Sequence, residues 1–171
     1  KQKLINEKLC PKSFIAYDLK IYFFNWIFDC CSKSVLEIRN ANHVLNFMSN
    51  SHKISLIEHS NFLSNYLNLK RIDFMILEEK TIVGGVNIVL TKKGLEIGKY
   101  IGNKNYLQKG IAKLSTINLL YFIKDYLPKE TNIFSRTMAN NYNNIALNKK
   151  IGFEIYKESD DDGFILMRKV I

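Results

Sequence analysis

The spacing of apolar positions in the first part of the chain predicts one strand followed by two helices. Aromatic and β-branched residues dominate 20–26, which is typical of a strand, and 32–40 has a helical pattern that ends at Asn40. Ser55 and Glu58 have the spacing of a capping box, so a second helix is predicted to begin there. Its apolar face is predicted to consist of Leu56, Phe62, Leu63 and Leu67.

Strand-like segments dominate the second part of the chain. Three of them, joined by separators of hairpin length, predict an antiparallel meander at 73–79, 82–90 and 95–101. A helical spacing runs from Ile111 to Pro128. The remaining segments predict a strand at 131–138, a helix at 143–151 and two final strands around the turn "DDDG". The order β-α-α-β-β-β-α-β-α-β-β is α+β, with a mixed, mostly antiparallel sheet of about seven strands and about four helices.

Length and composition suit one folded domain. The chain has 171 residues, of which 47% are hydrophobic. No apolar run approaches the ~20 residues that span a bilayer, and no secretory signal is recognisable, so we expect a cytoplasmic protein without membrane insertion. Because the chain does not begin with methionine, we expect 1–18 to be an N-terminal extension or a linker from a preceding domain, and 19–171 to be the folded domain.

Cysteine content and net charge limit the kinds of ligand and partner that we expect for this protein. Cys10, Cys30 and Cys31 form an odd set, so we expect reduced thiols, and no Cys/His spacing indicates a metal site. The formal net charge is +9, from 25 basic and 16 acidic residues, but the lysines are dispersed and form no arginine-rich stripe. We therefore expect no nucleic-acid partner, whereas a small polyanion suits a basic protein.

The stretch "LQKGIA", 107–112, places small residues at a predicted junction between a strand and a helix. A glycine there allows a ligand to reach backbone N–H groups, and the helix N-terminus adds roughly half a positive charge. The stretch lacks the G-x-G-x-x-G and Walker patterns of other nucleotide loops. It predicts a cradle for a phosphate group, although an ordinary helix start with an incidental glycine is an alternative.

The order of elements and two motifs resemble the Gcn5-related N-acetyltransferase (GNAT) family. The family pattern Arg/Gln-x-x-Gly-x-Gly/Ala corresponds to 107–112, with Leu107 at the position usually held by Arg or Gln. The second signature, Asn-x-x-Ala/Ser…Gly-Phe, corresponds to Asn141, Asn144, Ala146, Gly152 and Phe153. The resemblance extends from about residue 19 to the C-terminus, and implies the GNAT fold, acetyl transfer to an amine and acetyl-CoA as the cosubstrate.

The resemblance also implies how acetyl-CoA would be held. A gap is expected between the strands at 95–101 and 131–138, where backbone groups near Tyr100 and Ile101 would bind the thioester and the pantetheine arm. Asn141 would also bind this arm, or it caps the helix that follows. The pyrophosphate is expected on Gln108, Lys109, Gly110, Ile111, Ala112 and Lys113.

Two proton transfers accompany acetyl transfer to an amine. In several family members a glutamate on the strand before the cradle is the general base, and Glu96 occupies that position, either as the base or as a solvent-facing carboxylate. The usual general acid is a tyrosine, but the corresponding residue here is Asn148. Tyr142, another hydroxyl or a water remain open as proton donors, as does departure of an electrostatically stabilised thiolate.

The segment 36–63 resembles the acceptor side of the ribosomal-protein acetyltransferase branch. It resembles still more the branch that acetylates the 4-amino group of a UDP-linked 4-amino-4,6-dideoxy sugar in pseudaminic acid biosynthesis. The acceptor would then be a UDP-amino-sugar or another small amine, and a homodimer is a further expectation. The positions carried over are Arg39, Asn40, Met48, His59 and Asn87; Arg39 and His59 also have purely structural interpretations, as a helix C-terminal residue and a surface residue.

Two other classes of function remain open. A protein acetyltransferase for N-terminal amines or lysines would use the same cosubstrate, and it would have an open peptide groove. A non-catalytic CoA-binding module is consistent with the departures at Leu107 and Asn148.

Overall fold

The computed structural model describes residues 14–16, 19–23, 32–129, 131–159 and 162–171. Within these ranges, one eight-stranded sheet is flanked by five α-helices. The strands are β1 (Phe14–Ala16), β2 (Leu19–Phe23), β3 (Arg71–Glu78), β4 (Thr81–Thr91), β5 (Gly94–Ile101), β6 (Asn132–Met138), β7 (Glu154–Lys157) and β8 (Phe164–Val170). The helices are α1 (Ser32–Arg39), α2 (Asn42–Leu45), α3 (Leu56–Ser64), α4 (Ile111–Tyr126) and α5 (Tyr142–Lys150).

The strands lie in the order β1-β2-β3-β4-β5-β6-β8-β7, and every neighbouring pair is antiparallel except β5 and β6. This arrangement confirms the α+β class and the predicted β3–β4–β5 meander. Two short elements were not predicted, because three residues of β1 and four of α2 are too few to show a period. The edge strand β1 falls inside the segment 1–18, while the three cysteines and 24–26 of the predicted first strand lie outside the described residues.

The main core lies on the face of the sheet that α4 covers. Ile76, Ile123 and Ile133 are completely buried there. Phe74 of β3 meets Phe122 of α4 edge to face, with ring centroids 5.0 Å apart. Each large aliphatic side chain removed from water stabilises the fold by roughly 1.5–3 kcal/mol. A second cluster, on the opposite face of the sheet beneath α1, contains Val35, Tyr66 and Met75.

Helix α3 begins at the predicted capping box. The Ser55 hydroxyl accepts from the Glu58 N–H at 3.2 Å, and the Ser55 N–H donates to the Glu58 carboxylate at 2.7 Å. The predicted apolar face is partly wrong, because Leu56 and Leu67 are 62% and 64% exposed. The first turn of the helix is exposed, and in the 3₁₀ turn after it Tyr66 takes the buried position, so the buried side of α3 contains His59 in place of Leu56.

The sheet is split between β5 and β6. These parallel strands pair only at their starts, Leu95 with Ile133 and Glu96 with Phe134. Beyond this point β5 continues to pair with β4, and β6 continues to pair with β8, so the carboxyl-terminal halves of β5 and β6 diverge. The gap expected between 95–101 and 131–138 is therefore present, and it leaves the facing edges of both strands without ladder partners.

Candidate active site

A cleft of about 810 Å³ surrounds the split and is open to both faces of the sheet. Residues of α1, α2 and α3 line it on one side, and residues that follow β5 and β6 line it on the other. Because the sidedness of a strand alternates, Glu96, Gly98 and Tyr100 face α1–α3, whereas Ile97, Lys99 and Ile101 face α4 and α5. The predicted site residues that line the cleft are Arg39, Met48, His59, Asn87, Glu96, Tyr100, Ile101, Ala112 and Asn141.

The N-terminus of α4 is uncapped and lies at the edge of this cleft. No side chain caps the helix, and its first intrahelical bond runs from the Leu114 N–H to the Gly110 carbonyl. The preceding N–H groups therefore have no intrahelical acceptor. Gln108 and Gly110 have φ values of 60° and 78°, and a Cβ built on Gly110 would meet nothing within 4 Å. Free donors beside open space fit a pyrophosphate group.

The other cradle residues contribute in different ways. Ala112 lines the cleft, whereas the side chain of Ile111 is buried in the core, so only its backbone N–H can reach a ligand. The Lys109 ammonium lies 5.0 Å from the Tyr106 ring centroid, over its face. Lys113 lies instead in a separate groove with Lys150 and Lys169, about 600 Å³ in volume. The two predicted flanking lysines therefore do not form one site, because Lys109 precedes α4 and lies over Tyr106, whereas Lys113 is on the helix and lines the other groove.

On the α1–α3 side, Arg71 and Asp73 of β3 line the cleft, and their side chains form an ion pair with each other. Two hydrogen bonds of 2.7 and 2.6 Å join the guanidinium to the carboxylate. The Tyr66 hydroxyl donates a further hydrogen bond to Asp73 at 2.9 Å, and desolvation with the nearby Asp73 carboxylate raises the pKa of that hydroxyl. The charge of Asp73 is thus compensated within the protein.

Arg39, at the end of α1, is a second cation in the same part of the cleft. Its Nη1 atom is buried and has no hydrogen-bond partner among the described residues. Burial lowers the pKa of its guanidinium, which is a sign that the charged form is poorly solvated. Tyr100 lies close enough for its charge state to be coupled to Arg39, and desolvation raises the pKa of the Tyr100 hydroxyl. The side chain of Tyr100 therefore lies on the α1–α3 side of the split, and only its backbone lies where acetyl-CoA is expected.

Asn87 of β4 is paired with Asp73 of β3 and with Gly98 of β5, and all three residues face the cleft. A Cβ on Gly98 would come within 2.4 Å of the Asn87 amide oxygen, so the glycine makes room for this side chain. Asn40 was predicted to contact the acceptor, but the structure places it elsewhere. Its amide makes two hydrogen bonds to the backbone of Ile54, at 2.7 and 2.9 Å, and it connects the loop before α3 without lining the cleft.

Glu96 stands where the split begins, on the face shared with Tyr100. Desolvation by burial raises the pKa of its carboxyl, and Arg136 and Lys93 partly oppose that effect. A carboxylate with a raised pKa beside a cleft has the properties required of a general base.

The α5 side of the split holds a chain of polar contacts that sequence reasoning missed. The Lys99 ammonium donates to the Asn148 side-chain oxygen at 2.7 Å, and the Asn148 amide donates to the Ser135 hydroxyl at 3.0 Å. This chain connects β5, α5 and β6 across the gap. Tyr142, which the sequence left open as a proton donor, is 76% exposed and does not point into the split.

Two further groups modify the predicted cosubstrate contacts. The Asn141 side chain accepts a hydrogen bond from the Asn144 N–H at 3.2 Å, so it caps α5 as well as lining the cleft. His43 of α2 donates from Nε2 to the Ile101 carbonyl at 2.9 Å, which occupies one of the backbone groups expected for acetyl-CoA. His43 carried no signal in the sequence, because its partner lies 58 residues away.

Residues 31–166 match the family model described as an acetyltransferase (GNAT) domain. The chain belongs to this family, and it is an acetyl-CoA-dependent N-acetyltransferase. A sequence comparison with curated proteins gives no match. Among the described residues, no helix could cross a membrane, and no group of three or more His, Cys, Asp or Glu side chains could bind a metal ion.

Solved structures share the fold at low identity. A domain from Methanocaldococcus jannaschii is 21% identical, with a TM-score of 0.76 over 93% of this chain and 99% of its own. Aminoglycoside acetyltransferase AAC(6')-Ib, solved with coenzyme A, is 15% identical, with a TM-score of 0.75 over 89% of this chain and 94% of its own. The N-acetyltransferase PseH of Campylobacter jejuni is 17% identical, with a TM-score of 0.69 over 90% of this chain and 99% of its own.

Proposed function

We propose that the acceptor is a negatively charged amino sugar, in particular a UDP-linked 4-amino-4,6-dideoxy sugar of the kind used in pseudaminic acid biosynthesis. The observation that carries this proposal is the buried Nη1 of Arg39, which has no partner among the described residues and lies in the cleft. A poorly solvated guanidinium nitrogen without a hydrogen-bond acceptor is costly, and a diphosphate or a uracil carbonyl would supply the acceptor that the described residues lack.

The charge balance of the cleft argues against a polycationic acceptor. Asp73, which lines this side of the cleft, is already paired with Arg71, whereas the Nη1 atom of Arg39 has no hydrogen-bond partner among the described residues. An aminoglycoside carries several ammonium groups and would need free carboxylates in place of a free arginine. The polyanion acetyl-CoA and a UDP-sugar both suit a chain of net charge +9.

The acceptor amine would sit beside Glu96, at the closed end of the split. Its carboxylate would accept the amine proton, directly or through a water. Asn87, Met48 and His59 line the same side of the cleft and would contact the sugar. Acetyl-CoA would enter from the α4 side, with its pyrophosphate on the free N–H groups that follow Gly110.

The decisive experiment is a free-thiol release assay with acetyl-CoA and three acceptors. These are a UDP-4-amino-4,6-dideoxy sugar, the same sugar without its UDP group, and a lysine peptide. Turnover that depends on the UDP group supports the proposal. Equal turnover of the free amino sugar overturns the role of the nucleotide, and preference for the peptide indicates a protein acetyltransferase. Binding of acetyl-CoA without thiol release from any of the three acceptors indicates a non-catalytic module.

A further inference from the structure

A lysine lies inside the split, on the side from which the cosubstrate approaches. Lys99 shares its face of β5 with Ile97 and Ile101, two residues of the main core. A cation at this position interrupts an otherwise apolar strand face. Its ammonium group is directed along the opening between β5 and β6, where it meets Asn148 of α5.

The contacts around Lys99 are neutral. Asn148 is completely buried, and its amide group makes further contacts with Ser135 at 3.0 Å and Thr137 at 3.5 Å. Burial alone lowers the pKa of the Lys99 ammonium to about 8, and no charge in the described part of the chain contributes to this shift. Glu96, the nearest carboxylate along β5, faces the opposite side of the sheet.

The position of this ammonium group matches a requirement of the reaction. Acetyl transfer forms a bond between the acceptor nitrogen and the carbonyl carbon and breaks the bond between that carbon and sulfur. The electron pair of the broken bond stays on sulfur, which leaves as a thiolate. A thiol has a pKa of roughly 8.5, so a nearby cation or a proton stabilises the departing thiolate.

We propose that Lys99 is the general acid of this acetyltransferase, which donates an ammonium proton to the sulfur of coenzyme A as the thioester bond breaks. Asn148, at the position where a tyrosine is usual in the family, is a positioning residue that aims the ammonium group through its side-chain oxygen. The proton balance closes without another reactant. Glu96 or water takes the proton of the acceptor nitrogen, Lys99 becomes a neutral amine as the thiol forms, and solvent returns the proton to Lys99 after product release.

The donor and the leaving group are well matched. A lysine of pKa about 8 still carries its proton at neutral pH, and it loses that proton readily to a thiolate of similar basicity. An unperturbed lysine, with a pKa near 10.4, would be a weaker acid. This role does not depend on which amine is the acceptor, because the sulfur is the same for every substrate.

Two substitutions at Lys99 test the proposal in the full chain. Lys99→Met keeps the length of the side chain and removes the charge, and Lys99→Arg keeps the charge but cannot give up its proton. We expect kcat to fall roughly a hundredfold in both, the range of general acid catalysis, with little change in the KM of acetyl-CoA. The wild-type kcat should decline above about pH 8 as Lys99 loses its proton, and both variants should lack this decline.

Binding of coenzyme A supplies a readout that does not depend on turnover. Calorimetry in buffers of different ionisation enthalpy measures the protons released when coenzyme A binds. We expect wild type to release protons at about pH 7.5, because Lys99 and the thiol share a single proton in the complex, and we expect Lys99→Met to release none. The S-methyl derivative of coenzyme A has no thiol, so it should bind wild type and Lys99→Met equally and without proton release, which also shows that the variant is folded.

Three results would contradict the role of Lys99 as the general acid. A folded Lys99→Arg variant with a kcat within threefold of wild type and the same decline above pH 8 overturns the proposal. Equal proton release by wild type and Lys99→Met also overturns it. A loss of affinity for the S-methyl derivative in both variants shows that Lys99 only shapes the binding site.

Discussion

Arg71 and Asp73 lie two residues apart on the same face of β3, and their side chains form a two-pronged ion pair. The Tyr66 hydroxyl donates to the same carboxylate and accepts the Asp73 N–H at 2.8 Å, so all three residues form one network. The pair is largely withdrawn from water, with 27% of the Arg71 side chain and 19% of the Asp73 side chain exposed. Its consequence is that Arg71 is already paired, whereas Arg39 keeps a buried nitrogen without a hydrogen-bond partner in the described part of the chain.

Asp73→Asn keeps the shape of the network and removes its negative charge. We expect the free energy of unfolding to fall by about 2 kcal/mol, because Arg71 loses its counter-ion in a partly buried place. Urea denaturation measures this change. The double variant Asp73→Asn/Arg71→Met should recover part of the loss, and a loss below about 0.5 kcal/mol for Asp73→Asn would show that the pair behaves like an exposed one.

Gly110→Asp tests the anion site at the start of α4. Its carboxylate would occupy the space in front of the free N–H groups and repel a pyrophosphate. Gly110→Asn is the matched control, because Asn has the same shape, tolerates a positive φ and can cap the helix equally well. We expect the Asp variant to bind CoA at least tenfold more weakly than the Asn variant, with both correctly folded. Equal affinities, measured by calorimetry, would place the pyrophosphate elsewhere.

Glu96→Gln tests the general base through its effect on the pH profile. Burial raises the pKa of the Glu96 carboxyl, so activity that needs the carboxylate should rise with pH through this raised value. We expect Glu96→Gln to abolish that rise and to lower kcat/KM most near neutral pH, where the acceptor amine is protonated. A uniform loss at every pH would indicate that Glu96 only positions the acceptor.

Glu96→Gln should lower activity at neutral pH, but it should raise the stability of the fold there. A carboxyl with a raised folded-state pKa contributes stability that is present below its unfolded-state pKa and lost as pH rises through the folded-state value. The free energy of unfolding of Glu96→Gln should therefore exceed that of wild type at neutral pH and approach it near about pH 4. Urea denaturation at the two pH values gives the comparison, and a less stable variant at neutral pH contradicts the assigned direction of the pKa shift.

Arg39→Met removes the buried cation of the acceptor side, and Arg39→Lys retains a charge without the planar fork. With a UDP-amino-sugar as substrate, we expect the KM of the sugar to rise roughly tenfold to a hundredfold in Arg39→Met, the range of a charge-assisted hydrogen bond, and less in Arg39→Lys. The KM of acetyl-CoA should not change in either. An unchanged sugar KM in Arg39→Met removes the main support for an anionic acceptor.

Local signals made much of the fold predictable. Hairpin separators defined the β3–β5 meander, and the four residues from Ser55 to Glu58 contain the entire capping box of α3. The helix start at Gly110 could also be predicted, because a glycine at a strand-to-helix junction is a local feature. The positions of β1 and α2 could not, since neither element is long enough for a period.

Contacts between distant segments limited what the sequence could predict about the site. Alternation along β5 indicates that Lys99 shares a face with Ile97 and Ile101, but its partner Asn148 is 49 residues away. In the same way, Asn40 is a plausible sugar ligand in sequence, and only closure of the loop onto Ile54 shows that its amide is occupied. Lys113 was predicted beside the cradle because it is near Gly110 in sequence, whereas the helical turn carries it to another groove.

The split between β5 and β6 would allow the two proposed substrate sites to change independently during evolution. One opening lets both reactants meet, and the proposed arrangement places the acyl donor on the α4 side and the amine on the α1–α3 side of the cleft. Substitutions in the loops and helices before β3 can therefore alter the preference for amines while the machinery that grips the donor is left intact. Because the sheet is interrupted at one place, the proposed acceptor site can change its specificity while the proposed site for the acyl donor stays the same.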